Sequence, residues 1–340
     1  MKKLITALLT AALLIVNNLQ AGVLEDADIA YASKNYTQAF KLYRTLALKG
    51  DTNAQFSLAV MYIKGKGVIQ DYAEAVKWYK LAARKDDAGA QYNLGVMYDT
   101  GEGVIQDYAE AIKWYKLAAA QGNNNAQYNL GVMYFKGNGV LQDYSEAVKW
   151  YKLAAEKDDA GAQHNLGVMY DTGEGVIQDY AEAIKWYKLA AAKGNASSQF
   201  NLALLYNNGK GVVQDYIEAV KWYKLAAAQG ISVAQFNLGL MYNDGKGVVQ
   251  DYAEAVKWFK LAAEQGNTSA QSNLGVMYDN GQGVLQDYAK AHMWFNLAGM
   301  TGIKLSVDNR DLIAKKMTQQ QITEAQKLAR ECLARKYKGC

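Results

Sequence analysis

Proline is absent from this 340-residue chain, and cysteine and histidine occur only twice each. Without proline, the chain lacks the residue that most strongly interrupts helices, and its 30 glycines are left to end them. Two histidines, His164 and His292, are too few for metal sites that recur along the chain. We therefore predict an almost wholly helical protein with no catalytic residue, no metal ion and no cofactor.

Long apolar runs are scarce as well, and the longest stands at the start. Lys2 and Lys3 precede an apolar run at 4–16, and the segment closes on the small residue Ala21. This layout predicts a secretory signal peptide over residues 1–21. A retained anchor is the alternative, although the run is short for a membrane span. We expect export to the bacterial periplasm or the medium, with no integral membrane segment after cleavage.

Charge of one sign is also missing. The formal net charge is +4, and removal of Lys2 and Lys3 lowers it to +2. Nucleic-acid binding depends on a basic surface, so this balance argues against a nucleic-acid partner.

The chain does contain a repeat. An Asp-Tyr pair recurs every 36 residues, with its aspartates at Asp71, Asp107, Asp143, Asp179, Asp215, Asp251 and Asp287. A period of this length predicts stacked helical hairpins, an all-α solenoid in which each hairpin leans on the next. We divide the chain into residues 22–50, a degenerate capping repeat, 51–302, seven repeats of 36 residues, and 303–340, closing helices and a tail.

Each repeat is expected to hold two helices. In the first repeat, Leu58, Met61 and Tyr62 follow the spacing of an apolar helix stripe, which predicts helix A from about residue 52 to residue 63. Gly65 is expected to end it, since glycine readily adopts the left-handed conformation of a helix C-terminus.

Helix B follows from Asp71, which we predict to cap it, with Glu74 reaching back to complete a capping box. The other six aspartates take the same role. All seven tryptophans share one position in helix B, where we expect structural packing on a buried face that includes Leu81. They are Trp78, Trp114, Trp150, Trp186, Trp222, Trp258 and Trp294.

The repeat pattern reads Ala-x-x-x-Leu-Gly-x-x-Tyr-x-x-Gly-x-Gly-Val-x-x-Asp-x-x-x-Ala-x-x-Trp-x-x-x-Ala-Ala from Ala90 to Ala119. It closely resembles the Sel1-like repeat family, relatives of tetratricopeptide repeats with a longer loop between the helices. The resemblance implies a right-handed superhelix of α-hairpins with a concave groove, and a protein that binds other proteins or peptides.

Comparison of the copies indicates where binding would lie. Helix A varies at positions equivalent to 53, 56, 60, 63 and 64, and matching Leu58 and Tyr62 to a tetratricopeptide helix places that set on the groove side. An aromatic row beside asparagines would suit an extended peptide. The alternative is that the asparagines bond across helices within the stack. The candidate binding residues are Phe56, Tyr92, Asn93, Tyr128, Asn129, His164, Asn165, Phe200, Asn201, Phe236 and Asn237.

A hydrolase is the alternative function. Some cysteine-rich members of the family have been linked to penicillin binding or β-lactam hydrolysis, which would make this an envelope hydrolase or a binder of peptidoglycan fragments. However, no serine here is followed by lysine three residues later, and the cysteine pair that braces each repeat in those members is missing.

The C-terminus departs from the repeat. Lys290 and Asn296 replace a recurrent glutamate and a recurrent lysine. Two closing helices are predicted at 305–317 and 322–336, and their charges are interpreted as a polar end that stops further stacking. Cys332 and Cys340 could form a local disulfide in an exported protein, with a free pair as the alternative.

Overall fold

Aspartates, asparagines and glycines divide the chain into helices. The computed structural model describes residues 22–340, so the predicted signal peptide lies outside the described residues. The described chain contains eighteen helices and no strand. It therefore has the all-α hairpin fold that the repeat predicts.

The chain forms two units, one ending at Ala162 and one running from Gln163 to Cys340. Unit 1 contains α1 (22–32), α2 (Tyr36–Leu48), α3 (Thr52–Lys64), α4 (Tyr72–Ala83), α5 (Ala88–Thr100), α6 (Tyr108–Ala120), α7 (Asn124–Lys136) and α8 (Tyr144–Glu156). The boundary falls within α9 (Ala160–Thr172). Unit 2 continues with α10 (Tyr180–Ala192), α11 (Ala196–Asn208), α12 (Tyr216–Ala228), α13 (Ser232–Asp244), α14 (Tyr252–Ala263), α15 (Thr268–Asn280), α16 (Tyr288–Gly299), α17 (Lys304–Ala314) and α18 (Gln319–Ala334).

The odd-numbered helices from α3 to α15 are the helices A, and the even-numbered ones from α4 to α16 are the helices B. From α2 to α8, and again from α10 to α17, each helix packs against the next one in the sequence. Every contact of this kind is local in the chain, as expected for a solenoid.

The repeated aspartates cap helix B. The Asp107 carboxylate accepts a hydrogen bond from the Glu110 amide at 3.0 Å, and the other six aspartates accept in the same way from the residue three positions on. The predicted return contact of Glu74 does not occur. Its carboxylate instead pairs with Lys77, one turn further along the exposed surface. A capping box is present at α18, where Thr318 and Gln321 bond reciprocally.

The core of each hairpin is built around one aromatic ring of helix B. This ring is Tyr79 in the first repeat, and its equivalents are nearly inaccessible to solvent. A Cβ on Gly95 would stand 2.6 Å from the Tyr115 ring, so glycine lets helix A approach that ring. Where alanine takes the glycine position, as at Ala59, it too is fully buried.

Stacking of successive hairpins depends on the loop. Gly103 has a φ of +73°, and a Cβ there would lie 2.4 Å from the backbone carbonyl of Tyr72 in the preceding repeat. A buried glutamine adds a polar link, since the Gln91 side chain donates to the Ala83 carbonyl at 3.1 Å. The glycine therefore fixes the distance between neighbouring hairpins, and the glutamine satisfies a carbonyl at the end of helix B.

The buried face of helix B is narrower than predicted. Trp186 and Trp294 are buried, but the other tryptophans are only half-buried, and Leu81 is 41% exposed. Lysine side chains stand over three of the indoles, as Lys221 does over Trp222 at 5.5 Å. The cause is geometric, because neighbouring helices A cover one side of helix B and leave its flank to solvent.

Candidate protein-binding surface

One stripe of each helix A carries the variable positions. In α3 these positions are Asn53, Phe56, Val60, Ile63 and Lys64, and Ser57 lies beside them at the position of the recurrent asparagine. Asn53 and Lys64 are exposed, and the others are half-buried. We call this stripe and its equivalents in the other helices A the helix A face. It combines reachable side chains with residues that take part in packing.

The aromatic row lies on the core aromatics. Each ring rests on the buried ring of helix B in its own repeat, with centroids 5.5 Å apart for Phe56 and Tyr79 and 6.0 Å apart for Tyr92 and Tyr115. The same pairing holds for Tyr128, His164, Phe200 and Phe236. A glycine of the next helix A packs on two of these rings, since a Cβ on Gly89 would stand 3.1 Å from Phe56 and one on Gly161 would stand 3.1 Å from Tyr128. One side of each ring is thus committed to the fold.

The asparagines take part in the stack. Asn93 Nδ2 donates to the Tyr79 hydroxyl of the preceding repeat at 3.1 Å, and Asn201 bonds the Tyr187 hydroxyl. Phe259 has no hydroxyl, and there Asn273 turns to the Ser269 carbonyl at 2.8 Å. Asn129 likewise bonds the Tyr115 hydroxyl, so the cross-helix alternative describes Asn93, Asn129 and Asn201. An amide still has a second N–H and a carbonyl oxygen, so this bond does not exclude a ligand.

Carboxylates complete a polar layer beneath the rings. The Tyr115 hydroxyl donates to Asp99 Oδ2 at 3.2 Å, and Tyr187 donates to Asp171 at the same distance. Burial raises the pKa of Asp99 and Asp171, which the tyrosine hydrogen bonds partly oppose. Burial also raises the pKa of both tyrosines, which stay neutral donors.

The helix A face lines hollows in both units. In unit 1, Phe56 and Ser57 border two adjoining cavities of about 420 and 290 Å³. Asp28 of α1 also lines the larger one, and Tyr43 of α2 lines the smaller. In unit 2, Asn273 and Val276 border one of about 390 Å³. These volumes suit side chains of a partner.

His164 is the one member of the aromatic row that can carry a positive charge. Its Nδ1 lies 2.8 Å from the Ser198 hydroxyl, at the position where the other helices A of the repeats carry alanine. Burial lowers the pKa of His164. The imidazole therefore stays neutral at pH 7.

The structure also shows a row of exposed aliphatic residues that the sequence did not lead us to predict. One aliphatic residue in each loop is almost fully exposed, as Ile105 is at 91%. The others are Ile69, Leu141, Ile177, Val213, Val249 and Leu285. The signal was an apolar residue kept at the same loop position in every copy, which a search for differences between copies cannot detect.

Among the residues that the structure describes, no group of histidine, cysteine, aspartate and glutamate side chains could hold a metal ion. None of the helices from residue 22 onward is both long and apolar enough to cross a membrane. Cys332 and Cys340 form a disulfide.

Fold and surface together define a helical-hairpin repeat protein of the tetratricopeptide-like class. The sequence profile of the Sel1 repeat matches eight consecutive segments, at 27–51, 52–87, 88–123, 124–159, 160–195, 196–231, 232–267 and 268–302. The chain belongs to the Sel1 repeat family. Its members are generally protein-interaction scaffolds and typically have no enzymatic activity.

One solved structure agrees with this assignment, and a second is similar in sequence. A Sel1 repeat protein from Oxalobacter formigenes is 32% identical, with a TM-score of 0.67 over 86% of this chain and 88% of that one. A protective antigen of uropathogenic Escherichia coli with an SLR fold is 31% identical over 94% of this chain and 92% of that one, with a TM-score of 0.37. A comparison with curated proteins found no match.

Proposed function

We propose that this protein is an exported bacterial scaffold whose helix A faces hold an extended segment of a partner protein. The observation that carries the proposal is the concentration of differences between copies on that face. Helix B keeps its caps and its buried ring from copy to copy, whereas positions such as 53 change among asparagine, glycine, serine and valine. Export rests on the signal-like residues 1–21, and cell fractionation with and without them checks it.

The chemistry of the face suits a peptide better than a small ligand. Half-buried rings offer apolar contact, and asparagine amides offer hydrogen bonds to a peptide backbone. Repetition along a unit supplies these contacts at regular intervals, which favours an extended chain. The hydrolase alternative has only the family resemblance behind it.

A pair of matched triple variants tests the surface. Truncating the rings would remove packing contacts, so exposed positions are the better probes. The helix A variant is Asn53→Arg, Asn125→Arg and Val233→Arg, and the control is Leu117→Arg, Leu153→Arg and Leu225→Arg on exposed positions of helix B. Both sets add three positive charges.

The measurement is capture of binding proteins from an envelope extract, quantified against the unaltered chain. We expect the helix A variant to lose its partner and the helix B variant to keep it, with the same far-ultraviolet circular dichroism in both. Loss in the helix B variant, alone or together with the other, would contradict the assignment of the helix A face.

A further inference from the structure

The last hairpin interface of unit 2 is polar where the earlier ones are apolar. At the earlier interfaces, a valine or isoleucine of helix B shares a buried cluster with a leucine of the next helix A, as Ile112 does with Leu130 and Val256 with Leu274. Because α17 begins 36 residues after α15, the equivalent pair between α16 and α17 is His292 and Arg310. Both members of an apolar pair have been replaced together.

Neighbouring positions changed as well. The recurrent glycine after that leucine becomes Asp311, and the recurrent lysine of helix B becomes Asn296. With Gln326 and Arg330 of α18, these residues surround a cavity of about 540 Å³. Since α16 packs against both α17 and α18, the cavity lies between these three helices of the C-terminal cap. It opens to solvent on the side of Asp311, Gln326 and Arg330, which are exposed, whereas His292 at its base is buried. A polar outer surface that stops stacking does not require a buried imidazole at the base of this cavity.

Two guanidinium groups, those of Arg310 and Arg330, line the cavity. Arg310 is fixed by Asp311, with Nη2 2.7 Å and Nε 2.9 Å from its carboxylate, and Nη1 is 3.4 Å from the Asn296 carbonyl oxygen. Arg330 makes no ion pair among the described residues. Two arginines and one aspartate leave one positive charge uncompensated in the lining.

His292 is buried at 4% exposure, and its Nδ1 has no hydrogen-bond partner among residues 22–340. A buried polar atom without a partner costs free energy, which the Val-Leu pair of the other interfaces avoids. Burial and the positive charge of Arg310 lower the pKa of His292, and Asp311 opposes them. The imidazole is therefore neutral at pH 7, with its Nδ1 left unbonded beside the cavity.

We propose that this cavity binds a carboxylate. A monoanion balances the single excess charge, whereas a phosphate dianion would leave the lining negative, and a planar carboxylate matches the fork of a guanidinium. Arg330 pairs with the ligand, the Asn296 and Gln326 amides flank it, and the neutral His292 lines the wall beside the Arg310–Asp311 pair. Either a free organic acid or the C-terminus of a peptide presents this group.

Nuclear magnetic resonance of the two imidazoles tests the site in the full, disulfide-bonded protein. The probes are N-acetylalanine, its carboxamide, N-acetyl-trialanine with a free carboxyl end, and inorganic phosphate. We expect both free carboxylates to shift the His292 signal, while the carboxamide has no effect and His164 does not move. A stronger response to N-acetyl-trialanine than to N-acetylalanine identifies a peptide terminus, and the reverse identifies a small acid.

Three variants complete the experiment. Arg330→Gln should weaken carboxylate binding roughly tenfold, and Lys327→Gln, on the same helix but outside the cavity lining, should leave it unchanged. His292→Val with Arg310→Leu restores the apolar pair and should abolish binding measured by calorimetry. If that double variant does not fold, Arg330→Gln decides.

Three results would overturn the proposal. They are an unmoved His292 signal with both carboxylates, equal weakening by Lys327→Gln and Arg330→Gln, and phosphate binding as tight as carboxylate binding.

Discussion

The role of a single residue in this protein can be inferred by comparing it with the residues at the equivalent position in the other repeats. Residues 85–122 and 157–194 differ only at Tyr92 and His164 and at Gln121 and Lys193. The segment at 85–122 therefore serves as a reference for the segment at 157–194. At this scale the sequence predicted the aspartate caps, whose signal spans one helical turn.

His164 provides a prediction of pH dependence. Its pKa is lowered in the folded protein by burial, so the unfolded chain takes up the proton first as pH falls through about 6.5. Stability from the neutral imidazole is thus lost on acidification. The variant His164→Tyr with Ser198→Ala, which copies Tyr92 and Ala126, should lose less stability between about pH 7.5 and about pH 5.5.

Thermal denaturation followed by circular dichroism at the two pH values measures the difference. His292 is present in both proteins, so its own titration cancels from the comparison. Identical losses of melting temperature on acidification would show that His164 does not contribute.

Individual helices are set by local signals at their ends. Asn123 caps α7, Asp143 caps α8, and Gly137 in the left-handed conformation closes α7. The predicted bounds of the helices A and B agree with the structure within about two residues. The closing helices were predicted at 305–317 and 322–336 and are found at Lys304–Ala314 and Gln319–Ala334.

Removal of a cap should weaken one hairpin. Asp143 accepts a hydrogen bond from the Glu146 amide at 2.9 Å, and Asp143→Ala should lower the free energy of unfolding by about 0.5–2 kcal/mol. Asp143→Asn keeps an acceptor oxygen and should cost clearly less. Urea denaturation of both variants makes the measurement. Equal costs would mean that the negative charge matters more than the cap.

At the scale of the whole molecule, the repeat itself makes a prediction. Each hairpin contacts its neighbours in sequence, so hairpins can be removed in whole numbers. Deletion of residues 88–159, which are two whole repeats, joins Asp87 directly to Ala160. Ala160 and Gly161 then take the places of Ala88 and Gly89, so the sequence across the new junction is the same as in the unaltered chain. We expect a folded protein with unchanged helicity per residue.

Denaturant unfolding measures the consequence. Because the m-value follows the surface exposed on unfolding, it should fall by about a fifth, in proportion to the residues removed. Loss of helicity or aggregation of the shortened chain would show that a deleted hairpin is needed beyond its contacts with its neighbours.

The sequence by itself determined the elements and their order. Period, caps and loop glycines are signals within one or two turns, so they can be read without knowing what lies opposite. The same comparison of copies drew attention to the helix A face, whose binding role remains a prediction.

Only the tertiary structure decided which side chains those signals bring together. It left most tryptophans half-buried, directed Asn93 to Tyr79, and paired Glu74 with Lys77. It also placed His292, Arg310 and Arg330 around one cavity, although they come from three helices with different functions in the pattern. Burial and charge balance depend on neighbours from other turns and hairpins, which a periodic sequence does not specify.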